Sequence, residues 1–300
     1  MAIVEKTFRS GEVIIKEGEI GTTLFKLLDG NIGIYTEYGK KEQFRISFLK
    51  SGAFFGEMAI IEASPRSATV VAECSVKVLE IPGNELNALF EEKPEELYLF
   101  LKHLGNKVQN MINDRNEALS LLKSAREADA AKKKSIFAKF KRLSNQYQPK
   151  VAGFSEPNAE TFSKEFEKIT DEGPGRIETF NKDQVICNQG DVSDCLYIVR
   201  GGKVGLYNNF RDNEETLITE LGEVSYFGEM GLILDEPRET TAVAVSEEAY
   251  VEVIYRKDLE AVFKACPVKI NTLLTHLSYR LRRLTIDFLE ICKDITTNYS

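Results

Sequence analysis

The sequence predicts an α+β protein built from two small antiparallel β-barrels, each followed by helices. Three observations carry that reading. First, one segment is written twice. Phe54-Phe55-Gly56-Glu57-Met58-Ala59, running on to Ser64-Pro65-Arg66-Ser67-Ala68-Thr69-Val70, returns as Tyr226-Phe227-Gly228-Glu229-Met230-Gly231, running to Glu236-Pro237-Arg238-Glu239-Thr240-Thr241. Second, the offset of 172 residues holds without slippage around each segment: Phe8 matches Phe180, Gly18 Gly190, Gly30 Gly202, Gly33 Gly205 and Tyr35 Tyr207. Third, each copy opens with short apolar segments punctuated by glycine and ends with apolar residues at helical spacing. A self-match this long means two homologous domains, and 300 residues have room for both.

Taken in order, residues 13–15, 23–28, 32–35, 44–49 and 68–72 read as strands, and 76–81 closes the first unit as 250–254 closes the second. Polar stretches at 37–41 and 209–213 read as hairpin tips. Each copy then turns helical. Asn84 and Asp258 are placed to cap a short helix that stops near Pro94 and Pro267. A longer helix follows, with Leu97, Leu101, Leu104, Val108, Met111 and Ile112 on one stripe in the first copy. Leu273, Leu277, Leu281, Leu284 and Phe288 form the stripe in the second. These stripes need burial against a barrel, the other domain or a second subunit. The domain expectation is therefore 1–120, a mostly helical linker at 121–172, and 173–300. The basic stretch from Lys132 to Arg142 is either a dock for an acidic partner or membrane surface, or a connector helix packing Ile136, Phe140 and Leu143.

Composition excludes several classes. A net charge of -8 argues against a general nucleic-acid binder, whose affinity comes from Lys and Arg on phosphates. No apolar run is long enough to span a membrane, and the first residues do not form a signal peptide. Five scattered cysteines without a C-x-x-C fit reduced thiols in a cytoplasm. The two histidines, His103 and His276, fall in helical patterns and read as surface or packing residues. They cannot supply the cluster of His and carboxylate ligands that a metal-dependent barrel needs.

The repeated segment carries the chemistry. Gly56 ends an aromatic strand and opens a short helical turn, where backbone can approach an anion closely. Arg66 follows nine residues after Glu57, and its planar guanidinium matches a phosphate bidentately. A carboxylate beside a phosphate would be repelled, so Glu57 needs another target, and a sugar hydroxyl is the natural one. Phosphate plus sugar hydroxyl within an apolar barrel spells a nucleotide. The alternative is a structural salt bridge between Glu57 and Arg66.

Both segments resemble the phosphate-binding cassette of cyclic nucleotide-binding domains, as found in kinase regulatory subunits, cyclic-nucleotide-gated channels and the catabolite activator family. The resemblance covers about 7–115 and 179–290 and implies jelly-roll, cupin-like barrels. It implies that Glu57 and Arg66 anchor the ribose 2′-hydroxyl and the cyclic phosphate, with Gly56, Met58, Ala59, Ser67 and Ala68 around them. Ile34, Ile46 and Ser47 would line the barrel wall, and Met111 and Ile112 the helix lid. In the second copy the same roles fall on Gly228, Glu229, Met230, Gly231, Arg238, Glu239, Thr240, Leu206 and Ile218. Glu239 departs from the small residue usual in the family. At about 6 Å from a phosphate and a dielectric near 20, it would repel by roughly 2–3 kcal/mol.

The expected function is a non-catalytic cyclic nucleotide receptor, for cAMP rather than cGMP, without metal, signalling to a separate protein effector. There is no P-loop and no Ser-His or Cys-His constellation. The chain's extent leaves no room for a helix-turn-helix, a kinase arm or a channel domain. The last helix offers a homodimer seam through Leu277, Leu281, Leu284 and Phe288, or packs on its own barrel. The second reading is a scaffold whose second domain no longer binds nucleotide.

Overall fold

Alternating apolar residues between turn-forming glycines and polar tips make strands that bury one face each. The computed structural model describes residues 2–41, 43–57, 65–127 and 175–299. The basic stretch from Lys132 to Arg142 lies outside them. Contacts divide the described chain into two units: 2–90, 106–127 and 277–299 form one, and 91–105 with 175–276 form the other.

The first unit contains β1 (Val4–Phe8), β2 (Val13–Ile15), β3 (Thr23–Asp29), β4 (Asn31–Thr36), β5 (Phe44–Lys50), β6 (Phe54–Phe55), β7 (Thr69–Ala72) and β8 (Val76–Pro82). They pair antiparallel in two four-stranded sheets, ordered β1-β8-β3-β6 and β2-β7-β4-β5. Ile15, Phe25, Leu27, Ile32, Phe55, Val70, Ala72, Val76 and Val78 form one buried core. The second unit repeats this with β9 (Arg176–Asn181), β10 (Val185–Cys187), β11 (Cys195–Gly201), β12 (Val204–Asn208), β13 (Thr216–Leu221), β14 (Tyr226–Phe227), β15 (Thr241–Ala244) and β16 (Glu248–Tyr255). Its sheets run β9-β16-β11-β14 and β10-β15-β12-β13. These are the jelly-roll barrels expected from the repeat. The first strand of each copy, β1 and β9, was not anticipated: both are largely exposed and lack a clear apolar alternation.

The repeat extends to irregular features. In β5 the register steps from Ile34↔Ser47 to Tyr35↔Arg45, leaving Ile46 as an extra residue. In β13 it steps from Leu206↔Thr219 to Tyr207↔Leu217, leaving Ile218. A bulge at the same place in both copies re-aims that side chain.

The helices are α1 (Leu86–Glu92), α2 (Pro94–Glu127), α3 (Glu229–Leu234), α4 (Leu259–Ala265) and α5 (Pro267–Tyr299). The expected side-chain caps are not formed. Asn84 lies inside a 3-10 turn, Gly83–Glu85, and its amide donates to Glu85 at 3.3 Å. Asp258 occupies the position before α4 but makes no side-chain cap bond. The 3-10 turns supply backbone bonds instead, from Leu86 N–H to Gly83 and from Leu259 N–H to Arg256.

The seam proposed for a dimer is used inside the chain. In the first unit, Met111, Ala118 and Leu122 of α2 form a buried cluster with Phe288, Cys292 and Ile295 of α5. Leu281 and Leu284 pack against that cluster, and Leu277 and Phe288 are fully buried. Arg115–Asp287 at 3.8 Å and Arg126–Asp294 at 3.5 Å flank it. An apolar helical stripe states that a face must be covered, not by what. No helix among the described residues is long and apolar enough to cross a membrane.

Candidate functional site

In the first unit, the turn after β6 depends on Gly56, whose φ of 79° is open to glycine at little cost. A Cβ there would also lie 2.6 Å from Arg66 Nη1. Arg66 is strapped in place by its own backbone: its N–H donates to Glu19 at 2.9 Å, and its carbonyl accepts from Gly18 at 2.8 Å. Its guanidinium donates from Nη1 to the Gly56 carbonyl at 2.5 Å and from Nη2 to the Thr23 carbonyl at 2.7 Å. It lies 6.0 Å over the Phe25 ring, which stacks on Phe55. Gly21 lines the same pocket, where a Cβ would run into the guanidinium.

The second unit builds the same cradle atom for atom. Gly228 has φ 69°, Arg238 donates to the Gly228 carbonyl at 2.6 Å and to the Cys195 carbonyl at 2.7 Å. The guanidinium lies 5.0 Å over Tyr197, which stacks on Phe227. Cys195 Sγ is also 3.1 Å from Nη2. Burial raises that thiol, with the Arg238 charge opposing, so it acts as a neutral neighbour. The Arg238 Nε is buried without a hydrogen-bond partner.

Both arginines are buried, 8% and 5% exposed, and their donors end on neutral carbonyls and an aromatic face. Burial lowers the Arg66 guanidinium from its ordinary value, and only the charge of Glu57 opposes it. A buried cation whose hydrogen bonds end on neutral dipoles is strongly attracted to an anion. The Glu57–Arg66 salt bridge weighed from the sequence is thus not what holds the loop.

Each glutamate meets a side chain that the sequence did not reveal. Glu57, 2% exposed, is held by Lys107 of α2. Glu229, 2% exposed, has His276 Nε2 of α5 at 3.6 Å. His276 also packs on the Tyr226 ring at 5.6 Å, as expected for a packing residue. His103 behaves as expected for packing, stacking on Phe100 at 6.4 Å.

The other expected residues separate. Ser67 is exposed and Ala68 half-buried at the entry to β7, while Met58 and Ala59 lie outside the described residues. Ile34 packs on the barrel core, Ile46 sits on the bulge, and Ser47 is exposed. In the second copy Met230 and Gly231 are buried on α3, Thr240 is half-buried, Leu206 packs on the core and Ile218 is exposed. Glu239 is exposed as well. Met111, expected in a lid, belongs to the α2–α5 cluster; Ile112 is half-buried.

The family model described as the cyclic nucleotide-binding domain matches residues 5–93 and 177–266. The cGMP-dependent protein kinase of Plasmodium berghei is 27% identical over 92% of this chain and 24% of its own length. The cAMP-dependent protein kinase regulatory subunit of Dictyostelium discoideum is 25% identical over 84% of this chain and 63% of its own. The chain thus spans less than two thirds of either relative. Among solved structures, the regulatory domain of Toxoplasma gondii PKA with cAMP is 20% identical, with a TM-score of 0.28, covering 91% of this chain and 84% of that one. With the domain model matched over more than half of its length, the chain belongs to the cyclic nucleotide-binding domain family and carries that domain twice.

Proposed function

We propose that the chain is a non-catalytic receptor for a 3′,5′-cyclic nucleotide, cAMP in preference to cGMP, acting on a separate protein effector. The observation that carries this reading is the pair of buried arginines, each bonded to neutral carbonyls beside a glycine turn. A cyclic phosphate supplies a negative charge that each guanidinium can hydrogen-bond directly. Glu57 and Glu229 then accept from the ribose 2′-hydroxyl, which a 3′,5′-cyclic nucleotide leaves free and a 2′,3′-cyclic one does not. The relatives support the ligand class but divide on the base, since one is named for cGMP and the other for cAMP. Ser67 is compatible with either, because its hydroxyl can serve a guanine amino group.

We read 1–120 and 173–300 as the two binding domains, joined by 121–172. Ligand would neutralise the arginine, tighten the cassette and shift the helix that follows. That shift is signalling only if the two helix arrangements bind ligand differently. The five free thiols suit a reducing compartment such as the cytoplasm. The second reading, a scaffold whose second domain has lost its ligand, rests on Glu239 alone.

Calorimetry with cAMP and cGMP tests both. The full chain should bind two cAMP per chain. Arg66→Ala should lose roughly 3–5 kcal/mol at the first site, through two charge-assisted bonds, and leave the second intact. Unchanged affinity in Arg66→Ala would refute the receptor reading, and a stoichiometry of one would favour the scaffold for the second domain.

A further inference from the structure

The two cradles share their backbone straps but differ in one side chain set among them. The loop running into β3 and its counterpart running into β11 bond their arginines at matching places. Arg66 donates from its N–H to Glu19 and from Nη2 to Thr23. Arg238 donates from its N–H to Asp191 at 2.9 Å and from Nη2 to Cys195. Midway between those contacts the first loop has Gly21 and the second has Ser193. A Cβ on Gly21 would run into Arg66 Nε, so this point of the loop faces the Nε edge of the guanidinium.

In the second copy a side chain stands at that point. Ser193 is 7% exposed, and its Oγ has no hydrogen-bond partner among the described residues. Arg238 Nε is buried without one as well. The hydroxyl is turned against the cassette helix: a Cβ on Gly231 of α3 would lie 2.6 Å from Ser193 Oγ. The first copy reverses the two residue types, with Gly21 and Ala59 where the second has Ser193 and Gly231. A buried hydroxyl and a buried N–H left unpaired each cost stability in the ligand-free protein.

We propose that Ser193 is a positioning residue of the second site. When a cyclic phosphate engages the Arg238 guanidinium, the Ser193 hydroxyl accepts from Nε and fixes the plane of that guanidinium against the ligand. The inference rests on reading the second cassette as a cyclic nucleotide site.

The neighbours of Arg238 leave Ser193 as the buried acceptor for Nε. The Gly228 and Cys195 carbonyls already take Nη1 and Nη2, and Cys195 Sγ meets Nη2 at 3.1 Å. Tyr197 offers its ring face, and Asp194 is exposed. A serine hydroxyl reaches a new partner by a step between staggered χ1 wells, with no backbone movement. Because the bond is made only with ligand present, it adds to affinity and not to the stability of the free protein. The first site has no such group, since Gly21 carries no side chain.

Calorimetry with cAMP on full-length Arg66→Ala reads the second site, and on Arg238→Ala the first. In the Arg66→Ala background, Ser193→Ala should weaken binding about tenfold, the usual contribution of one hydrogen bond to a charged group. Ser193→Cys, close in size but a poor acceptor, should weaken it as much. Without ligand, Ser193→Ala should unfold at the same or a higher urea midpoint, because the hydroxyl removed had no partner. Ser193→Ala alone should leave first-site affinity unchanged, which also shows that the variant folds. An affinity that survives Ser193→Ala overturns the inference. So does a loss that Ser193→Cys does not share, or one matched by a fall in the urea midpoint, since either would make Ser193 a packing residue. No second-site binding in Arg66→Ala, with Arg238→Ala still binding, overturns it too, while leaving a one-site receptor. No binding at either site would instead sink the site reading and the inference with it.

Discussion

Val224 holds φ at 83°, in the turn before β14. The first copy has Gly52 there, at φ 92°, and both residues donate the same bond: Gly52 N–H to Leu27 at 2.7 Å, Val224 N–H to Val199 at 2.9 Å. A Cβ at Gly52 would meet nothing within 4 Å, so space is not the constraint. The strain is intrinsic, because a β-branched residue in the left-handed region sets its Cβ against its own backbone, at roughly 1–2 kcal/mol. Val224→Gly removes that strain but gives the unfolded chain more freedom, a loss of about 0.4–1 kcal/mol. The net expectation is a gain of about 0.5–1 kcal/mol in the second domain, read as a higher urea midpoint with an unchanged slope. A lower midpoint would show that the half-buried isopropyl group contributes more by packing than the turn loses by strain.

At the scale of elements, α5 begins with a buried ion network. Lys269, 1% exposed, pairs with Glu252 on β16, and Glu252 also accepts from Arg200 on β11. In the first copy Leu28, Leu79 and Glu96 stand where the second has Arg200, Glu252 and Lys269. Removing one partner of a buried pair costs about 3–5 kcal/mol, because the other charge stays buried. Lys269→Ala should fall at the low end, about 3 kcal/mol by chemical denaturation, since Arg200 still answers Glu252. A change below 1 kcal/mol would mean that water reaches Glu252 readily. Such a network could not be read from the sequence, and the reason is general. Strands, hairpin tips and the Gly-Glu and Pro-Arg pairs were legible because they repeat and obey short spacings. Lys107, His276 and Lys269 act across long separations that no short spacing records, and their places in the other copy hold Arg280, His103 and Glu96. The bulges at Ile46 and Ile218 were hidden because they change register, not composition. The caps at Asn84 and Asp258 failed because a 3-10 turn satisfies the same backbone groups.

At the scale of the whole molecule, the question is whether doubling has left two working sites or one. A disused copy is free to lose side-chain geometry that serves only a ligand. The second copy has kept it: the guanidinium bonds are 2.5 and 2.7 Å in one cradle, 2.6 and 2.7 Å in the other. Glu239 is the single feature against it, and its weight depends on where the carboxylate lies. Buried beside the phosphate, it would repel by roughly 2–3 kcal/mol at about 6 Å and a dielectric near 20. Glu239 is exposed. In water, with a dielectric near 80, the same charges repel by about 0.7 kcal/mol, a factor of about three, and salt screens part of that. Glu239→Ala should therefore tighten second-site binding of cAMP only about threefold, with most of the gain gone at 0.5 M salt. A gain near a hundredfold would place the carboxylate against the phosphate and make the wild-type second domain a scaffold at ordinary ligand concentrations. The small, salt-sensitive gain is what two functional sites in one chain require.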